Sequence, residues 1–136
     1  MLLIFLVSTN VGSSSSTSRF LVPFLNWLLG DPSPELIQTA RVLIRKCGHL
    51  FEYAVLAILC CRALNPEQWL QKWQFGLARR AALIAVVYAA TDEFHQSFEP
   101  SRTGSPVDVL IDTCGAIGGL TLLYGLIRLR QRRQKM

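Results

Sequence analysis

The sequence predicts an all-α fold, a small polytopic bundle of transmembrane helices. Three observations predict it. Apolar residues fill 51% of the 136 positions and charged residues only 17%, where a soluble domain carries about 25% charged residues. The apolar residues are bunched into runs separated by polar loops, a grouping that composition alone does not require. The mean hydropathy of +0.32 points the same way. At this length a single domain covering residues 1–136 is expected. Its expected helices are three full spans at residues 49–64, 80–96 and 107–127, a truncated first helix at 1–8, and amphipathic or interfacial pieces between first and second. A basic tail occupies 128–136.

The first run, MLLIFLV, has seven residues, far short of the roughly 20 that a span needs. It reads as the tail of a transmembrane helix whose beginning is missing, and no basic n-region or A-x-A-like site makes it a cleavable signal peptide. VGSSSSTSR, residues 11–19, reads as a Ser/Gly loop. FLVPFLNWLL, residues 20–29, has ten residues with an aromatic and a proline, which suits an interfacial or re-entrant piece. Gly30, Asp31, Pro32, Ser33 and Pro34 form a turn. Leu36, Ile37, Ala40, Leu43 and Ile44 then share one helical face, and this amphipathic helix is expected to continue into the short second span. Residues 65–80 mix Lys72, Arg79 and Arg80 with Trp69 and Trp73, an interfacial composition. The third helix is apolar as AALIAVVYAA and then abruptly polar as TDEFHQ. The fourth, residues 107–127, has 21 residues and spans about 31 Å at about 1.5 Å per residue.

The charge of +5 and pI near 9.4 could suggest nucleic acid as a partner, but the placement of the basic residues excludes it. Five of the fourteen (Arg128, Arg130, Arg132, Arg133 and Lys135) lie in the last nine positions, directly after an apolar run. That is a cytoplasmic juxtamembrane flank, attracted to anionic lipid headgroups. The four cysteines, Cys47, Cys60, Cys61 and Cys114, form neither a C-x-x-C pair nor a secreted disulfide pattern. They read as small packing residues.

Placing the C-terminal tail inside puts nine basic residues inside and five outside, in keeping with the positive-inside rule. The start of the second helix, the end of the third and the start of the fourth then lie on the same outer side. Those ends carry His49, Glu52, Asp92, Glu93, His95, Arg102, Asp108 and Asp112, so the polar residues converge in one outward-facing layer. The lipid bilayer is the expected partner of the remainder. Oligomeric state is not legible.

Asp108, Asp112, Gly115 and Gly119 fall at i, i+4, i+7 and i+11 and share a face. Gly115-x-x-x-Gly119 on that stripe presents the acids to a closely approaching neighbour. A structural alternative makes Asp108 a helix-dipole partner and Asp112 an ion-pair partner of Arg102. Asp92, His95 and Gln96 share a face of the third helix, with Glu93 rotated away, and His49, Glu52 and Tyr53 repeat that spacing on the second. Carboxylate–histidine pairs so spaced can fix an imidazole tautomer, relay a proton or hold a metal. Asp108, Asp112 and His95 are the metal candidates, although no H-E-x-x-H-type motif stands among them. Nothing matches a Walker loop, a G-x-S-x-G elbow or a dinucleotide fingerprint, so the sequence names no cofactor.

Three stretches carry a resemblance: RKCGHLFEYAVLAIL (45–59), YAATDEFHQSFEPSR (88–102) and TGSPVDVLIDTCGAIGG (103–119). With IFLVSTNVGSSSSTSR (4–19) they resemble the VanZ-like family of bacterial integral membrane proteins over nearly the whole chain. Two departures stand out, the seven-residue first helix and Ser8-Thr9-Asn10 where a Ser-Ser pair is expected. The resemblance implies a four-helix protein of the bacterial inner (plasma) membrane and a link to resistance to the glycopeptide teicoplanin. The motif residues carried over are Lys46, His49, Glu52, Tyr53, Asp92, Glu93, His95, Gln96, Arg102, Asp108, Asp112 and Gly115. The expected function is to bind or modify an anionic cell-envelope component, lipid-linked or related to peptidoglycan. His49, Glu52, Asp92, His95 and Arg102 are the catalytic candidates, and Lys46, Gln96, Arg102, Asp108 and Asp112 the ligand-binding ones. Two other classes stay open, a structural or partner-binding subunit and a small proton-linked transporter.

Overall fold

A computed structural model describes residues 14–98 and 105–134, with side chains from residue 22 onward. Four α-helices and no strand are present among them: α1 Ser14–Leu29, α2 Pro34–Leu64, α3 Phe75–Gln96 and α4 Pro106–Arg133. The expectations for residues 1–8 and for Arg102 lie outside the described residues. The chain divides into two units, the first ending at Gly48 and the second beginning at His49.

The first unit holds α1 and the opening half of α2. The Ser-rich residues from Ser14 onward, expected as loop, are helical and continuous with the apolar run that follows. Serine costs a helix only a few tenths of a kcal/mol, about 0.5, and an already nucleated helix extends cheaply. The helix stops at Gly30, whose φ of +84° is a conformation that favours glycine, and whose amide donates to the Asn26 carbonyl at 2.9 Å. Ser33 caps the next helix, its Oγ accepting from Leu36 N at 3.3 Å. Pro34 follows with Glu35 in the first turn, where a missing N–H costs nothing and a negative charge meets the helix dipole. As expected, the amphipathic stretch and the second apolar run form one helix of 31 residues.

In the second unit, α2 from His49 onward, α3 and α4 lie side by side. Gly115 is set against Leu50 and Gly119 against Ala54, so α2 and α4 run parallel with matching steps of four. The Ser105 amide reaches Glu93 at the end of α3, and Gln131 reaches the Gln71 carbonyl ahead of its start. The α3 helix is therefore antiparallel to α4. It begins at Phe75, five residues before expectation, because Ala78 extends a packed stripe of Ala81, Ala85 and Ala89. The α4 helix continues past residue 127 to Arg133, with Arg130, Arg132 and Arg133 in its last turn opposing the carbonyl end of the dipole.

The packing is inverted relative to a soluble domain. Ala57, Ala81, Ala85, Ala89 and Ala116 are buried beside Asp92, Glu93, Asp108 and Asp112, while Phe51, Leu83, Leu110 and Leu122 are exposed. Small residues bring helices together in lipid, and large apolar side chains are solvated there by the acyl chains. Among the described residues, two helices are long and apolar enough to cross a membrane, Pro34–Leu64 and Pro106–Arg133. The expected third full span is not among them. At 22 residues α3 is long enough, but Arg79 and Arg80 stand near one end and Asp92, Glu93 and His95 near the other.

Candidate functional site

The head of the second unit collects polar side chains from each of its three helices. Along α2, Tyr53, Leu56, Ala57 and Cys61 are buried, and His49 begins the same stripe one turn before Tyr53. Along α3, the alanine stripe runs into Asp92, Glu93 and Gln96, all three buried. Along α4, the stripe of Asp108, Asp112, Gly115 and Gly119 is buried throughout, as the spacing predicted.

The close approach of α2 and α4 brings the first pair together. A Cβ at Gly119 would lie 2.8 Å from Ala54 Cα, and one at Gly115 would meet the Leu50 carbonyl oxygen. Glycine is required at both by contact with a neighbouring backbone. With the helices this near, His49 Nδ1 stands 3.2 Å from Asp112 Oδ1, the histidine side chain 14% exposed and the aspartate 0%. The distance is that of an ion pair, yet neither atom makes an aligned hydrogen bond, and Asp112 Oδ2 has no partner either.

Glu93 completes the group. Its Oε2 accepts from Ser105 N at 2.8 Å, while Oε1 is buried without a hydrogen-bond partner. Ser105 also caps α4, its side chain accepting from Val107 N at 3.2 Å. His49, Glu93 and Asp112 each offer a ligating atom, and these atoms all lie within 4.8 Å of one another. Next to them, Gln96 Nε2 donates to Asp92 Oδ2 at 2.8 Å. The Tyr53 hydroxyl, on a side chain 1% exposed, has no hydrogen-bond partner. Its ring lies 6.5 Å from that of Tyr88.

The remaining candidates divide clearly. Glu52 is half-buried in α2 and Asp108 is buried in the first turn of α4, where the dipole favours it. Lys46 and Arg45 belong to the first unit. His95 is exposed while Asp92, Glu93 and Gln96 are buried, so the face expected for Asp92, His95 and Gln96 is divided and Glu93 is not rotated away from the packed side. Helical rotation from Ala89 explains the correction: at about 100° per residue, Glu93 and Gln96 stay near the alanine stripe and His95 turns about 120° off it. Among the described residues the cluster that could hold a metal is thus His49, Glu93 and Asp112, whereas the sequence suggested Asp108, Asp112 and His95. The signal that finds Glu93 is present in the sequence, in the alanine spacing of 3, 4 and 4 from residue 78 to 89.

Chemically, a buried imidazole beside two carboxylates can hold a proton, orient a tautomer or ligate a cation. Compared with known proteins, the chain matches the VanZ/LLP1 family model over residues 1–128. No curated protein and no solved structure matches it.

Proposed function

This chain belongs to the VanZ/LLP1 family, and on that premise we propose that its buried polar layer binds or modifies an anionic component of the cell envelope. The observation that supports this most directly is the His49–Asp112 pair at 3.2 Å, with Glu93 beside it. Ionisable side chains inside a membrane bundle are expensive and mark function. These three come from three different helices, so the fold maintains them at a cost that packing alone would avoid.

In this reading α3 is the third span and the protein sits in the bacterial inner membrane with the C-terminus cytoplasmic, so the polar layer faces outward. His49 moves a proton and Asp112 orients its ring, with Glu52 and Asp92 in support. Lys46 and Arg102 pair with the phosphate or carboxylate of a lipid-linked or peptidoglycan-related ligand. His95, Gln96 and Asp108 contribute at the rim. Loss or weakening of teicoplanin resistance is the phenotype that the family relationship suggests measuring.

The test is susceptibility to teicoplanin and envelope integrity in a strain relying on this protein. His49→Gln and Asp112→Asn should abolish the phenotype at matched membrane levels. An unchanged phenotype in both would end the proposal. Impermeant labelling of single cysteines at Ser97, Ser105, Gln71 and Gln134 fixes the sidedness. Labelling at Gln71 and Gln134 alone would turn the layer to the cytoplasm and remove envelope ligands from consideration.

One structural observation favours a second reading, a packing or partner-binding subunit. Gly115 and Gly119 already suffice to bring α2 against α4. That reading predicts that Asp112→Asn changes accumulation in the membrane and leaves any phenotype per molecule intact. A small proton-linked transporter would need polar groups continuing through the bundle. The stretch beyond the cluster is instead lined by Leu56, Ala57, Ala81, Ala85, Leu120 and Leu123.

A further inference from the structure

Buried carboxylate oxygens without a hydrogen-bond partner gather at the head of the second unit. Two carboxylates, Glu93 and Asp112, are buried within 4.8 Å of one imidazole, and a histidine supplies at most one positive charge. Buried carboxylate oxygens without a hydrogen-bond partner are costly, and a cation bound among these three side chains would satisfy them.

The geometry says which. His49 Nδ1 and Asp112 Oδ1 are 3.2 Å apart, a separation that suits an ion pair and also two ligands of one cation. Two ligands of one tetrahedral cation, each bonded at about 2.0–2.1 Å, are separated by about 3.3 Å and need no alignment with each other. The observed separation matches that spacing. Two further unpartnered carboxylate oxygens, Oδ2 of Asp112 and Oε1 of Glu93, stand beside that pair as donors.

We propose that His49, Glu93 and Asp112 bind a divalent transition-metal cation. One imidazole nitrogen with carboxylate oxygens suits zinc or manganese, whereas calcium and magnesium favour oxygen alone. Three protein ligands leave a coordination position open. The backbone amide of Ser105 holds Glu93 by its second oxygen, the outer contact that orients a ligating carboxylate. The inference is independent of the envelope ligand, since it concerns the purified protein alone.

The experiment uses the full chain in detergent, with Cys47, Cys60, Cys61 and Cys114 replaced by serine so that thiolates contribute nothing. The protein is stripped with chelator, equilibrated with Zn²⁺, desalted, and its metal content measured by mass spectrometry. About one zinc per chain is expected. Asp112→Asn, Glu93→Gln and His49→Gln should each weaken binding by more than about 100-fold, beyond the effect of losing an outer contact. Cobalt uptake by the otherwise unmutated chain, read from its visible absorption bands, gives a result even where a variant fails to fold. No zinc and no cobalt bands above a protein-free blank would overturn the proposal. So would loss of the metal in His95→Gln as severe as in Asp112→Asn, which would return the ligand set to the face that the structure leaves exposed.

Discussion

At one end of the second unit, polar and aromatic side chains are accessible and mostly partnered. Trp73 and Tyr124 meet edge-on at 5.2 Å, Arg128 Nε donates to the Tyr124 hydroxyl at 2.9 Å, and Gln131 donates to the Gln71 carbonyl at 2.8 Å. Arg62 lies 5.7 Å from the centre of the Trp69 ring. The indole nitrogen of Trp73 is a buried donor left over there. At the other end, His49, Glu93, Asp112 and Tyr53 are enclosed by the helices, and five of their polar atoms lack a hydrogen bond. The first end has the composition of an interfacial anchor, aromatic and basic, able to use headgroups and water. The second buries its polar atoms between the helices. A bundle that needed only anchoring could be built from the first end alone.

The comparison can be broken most severely at the glycines. Gly115→Leu should cost at least about 3 kcal/mol, the upper range for overpacking, because the side chain would meet the Leu50 backbone. Gly118→Leu, which meets nothing within 4 Å, should leave folding unchanged. Monodisperse recovery in detergent after heating separates the two. A tolerated Gly115→Leu would mean that the two helices do not approach as described.

A sharper test asks what the buried charge is for. Asp112→Asn removes a buried carboxylate while keeping its shape. We expect a melting temperature equal to or above that of the parent together with loss of the envelope phenotype, the trade-off of a functional site. A clear fall in melting temperature with an unchanged phenotype would make Asp112 structural.

The aromatic end should respond by smaller, graded amounts. Trp73→Ala is expected to lose about 1 kcal/mol for the edge-on pair with Tyr124, beyond its lost area. Tyr124→Phe, which keeps the ring and removes only the oxygen that Arg128 uses, should lose about 0.5–1 kcal/mol. Denaturant titration of each against the parent measures both, and neither should alter the phenotype. If Tyr124→Phe abolished it, the two ends would not be separable as anchor and site.

Most of the fold was legible in the sequence because membrane helices announce themselves by apolar runs. The joining of residues 34–48 to the second run followed from the shortness of that run, and the α4 stripe from the spacing of Asp108, Asp112, Gly115 and Gly119. The boundaries that differed are those where tertiary packing overrides composition. Ala78 extends α3 toward its N-terminus, and the apolar half of α1 carries its serines into the helix. Within the site, Asp112 and His49 were found and their partnership was not. Spacing along one helix says which residues share a face, but which residue faces them depends on how far α2 has slid along α4. Glu93 was placed in the polar layer but turned to the wrong side of its helix, for a different reason. The i, i+3 pairing of Asp92 with His95 describes a real adjacency, yet adjacency does not say which side of the helix is packed, and the alanines do.

The contacts at Gly115 and Gly119 have one consequence for how the site tolerates change. They are made against main chain, which has no rotamers, and they lie one and two turns along α4 from Asp112. The spacing between His49 and Asp112 is therefore set by parts of the molecule that cannot repack. Leucines and phenylalanines on the outer surface can be exchanged for other apolar residues, or meet different acyl chains, without the distance being renegotiated. Sequence drift and changing lipid act on the outside of this unit, and the ruler that holds its chemistry is on the inside.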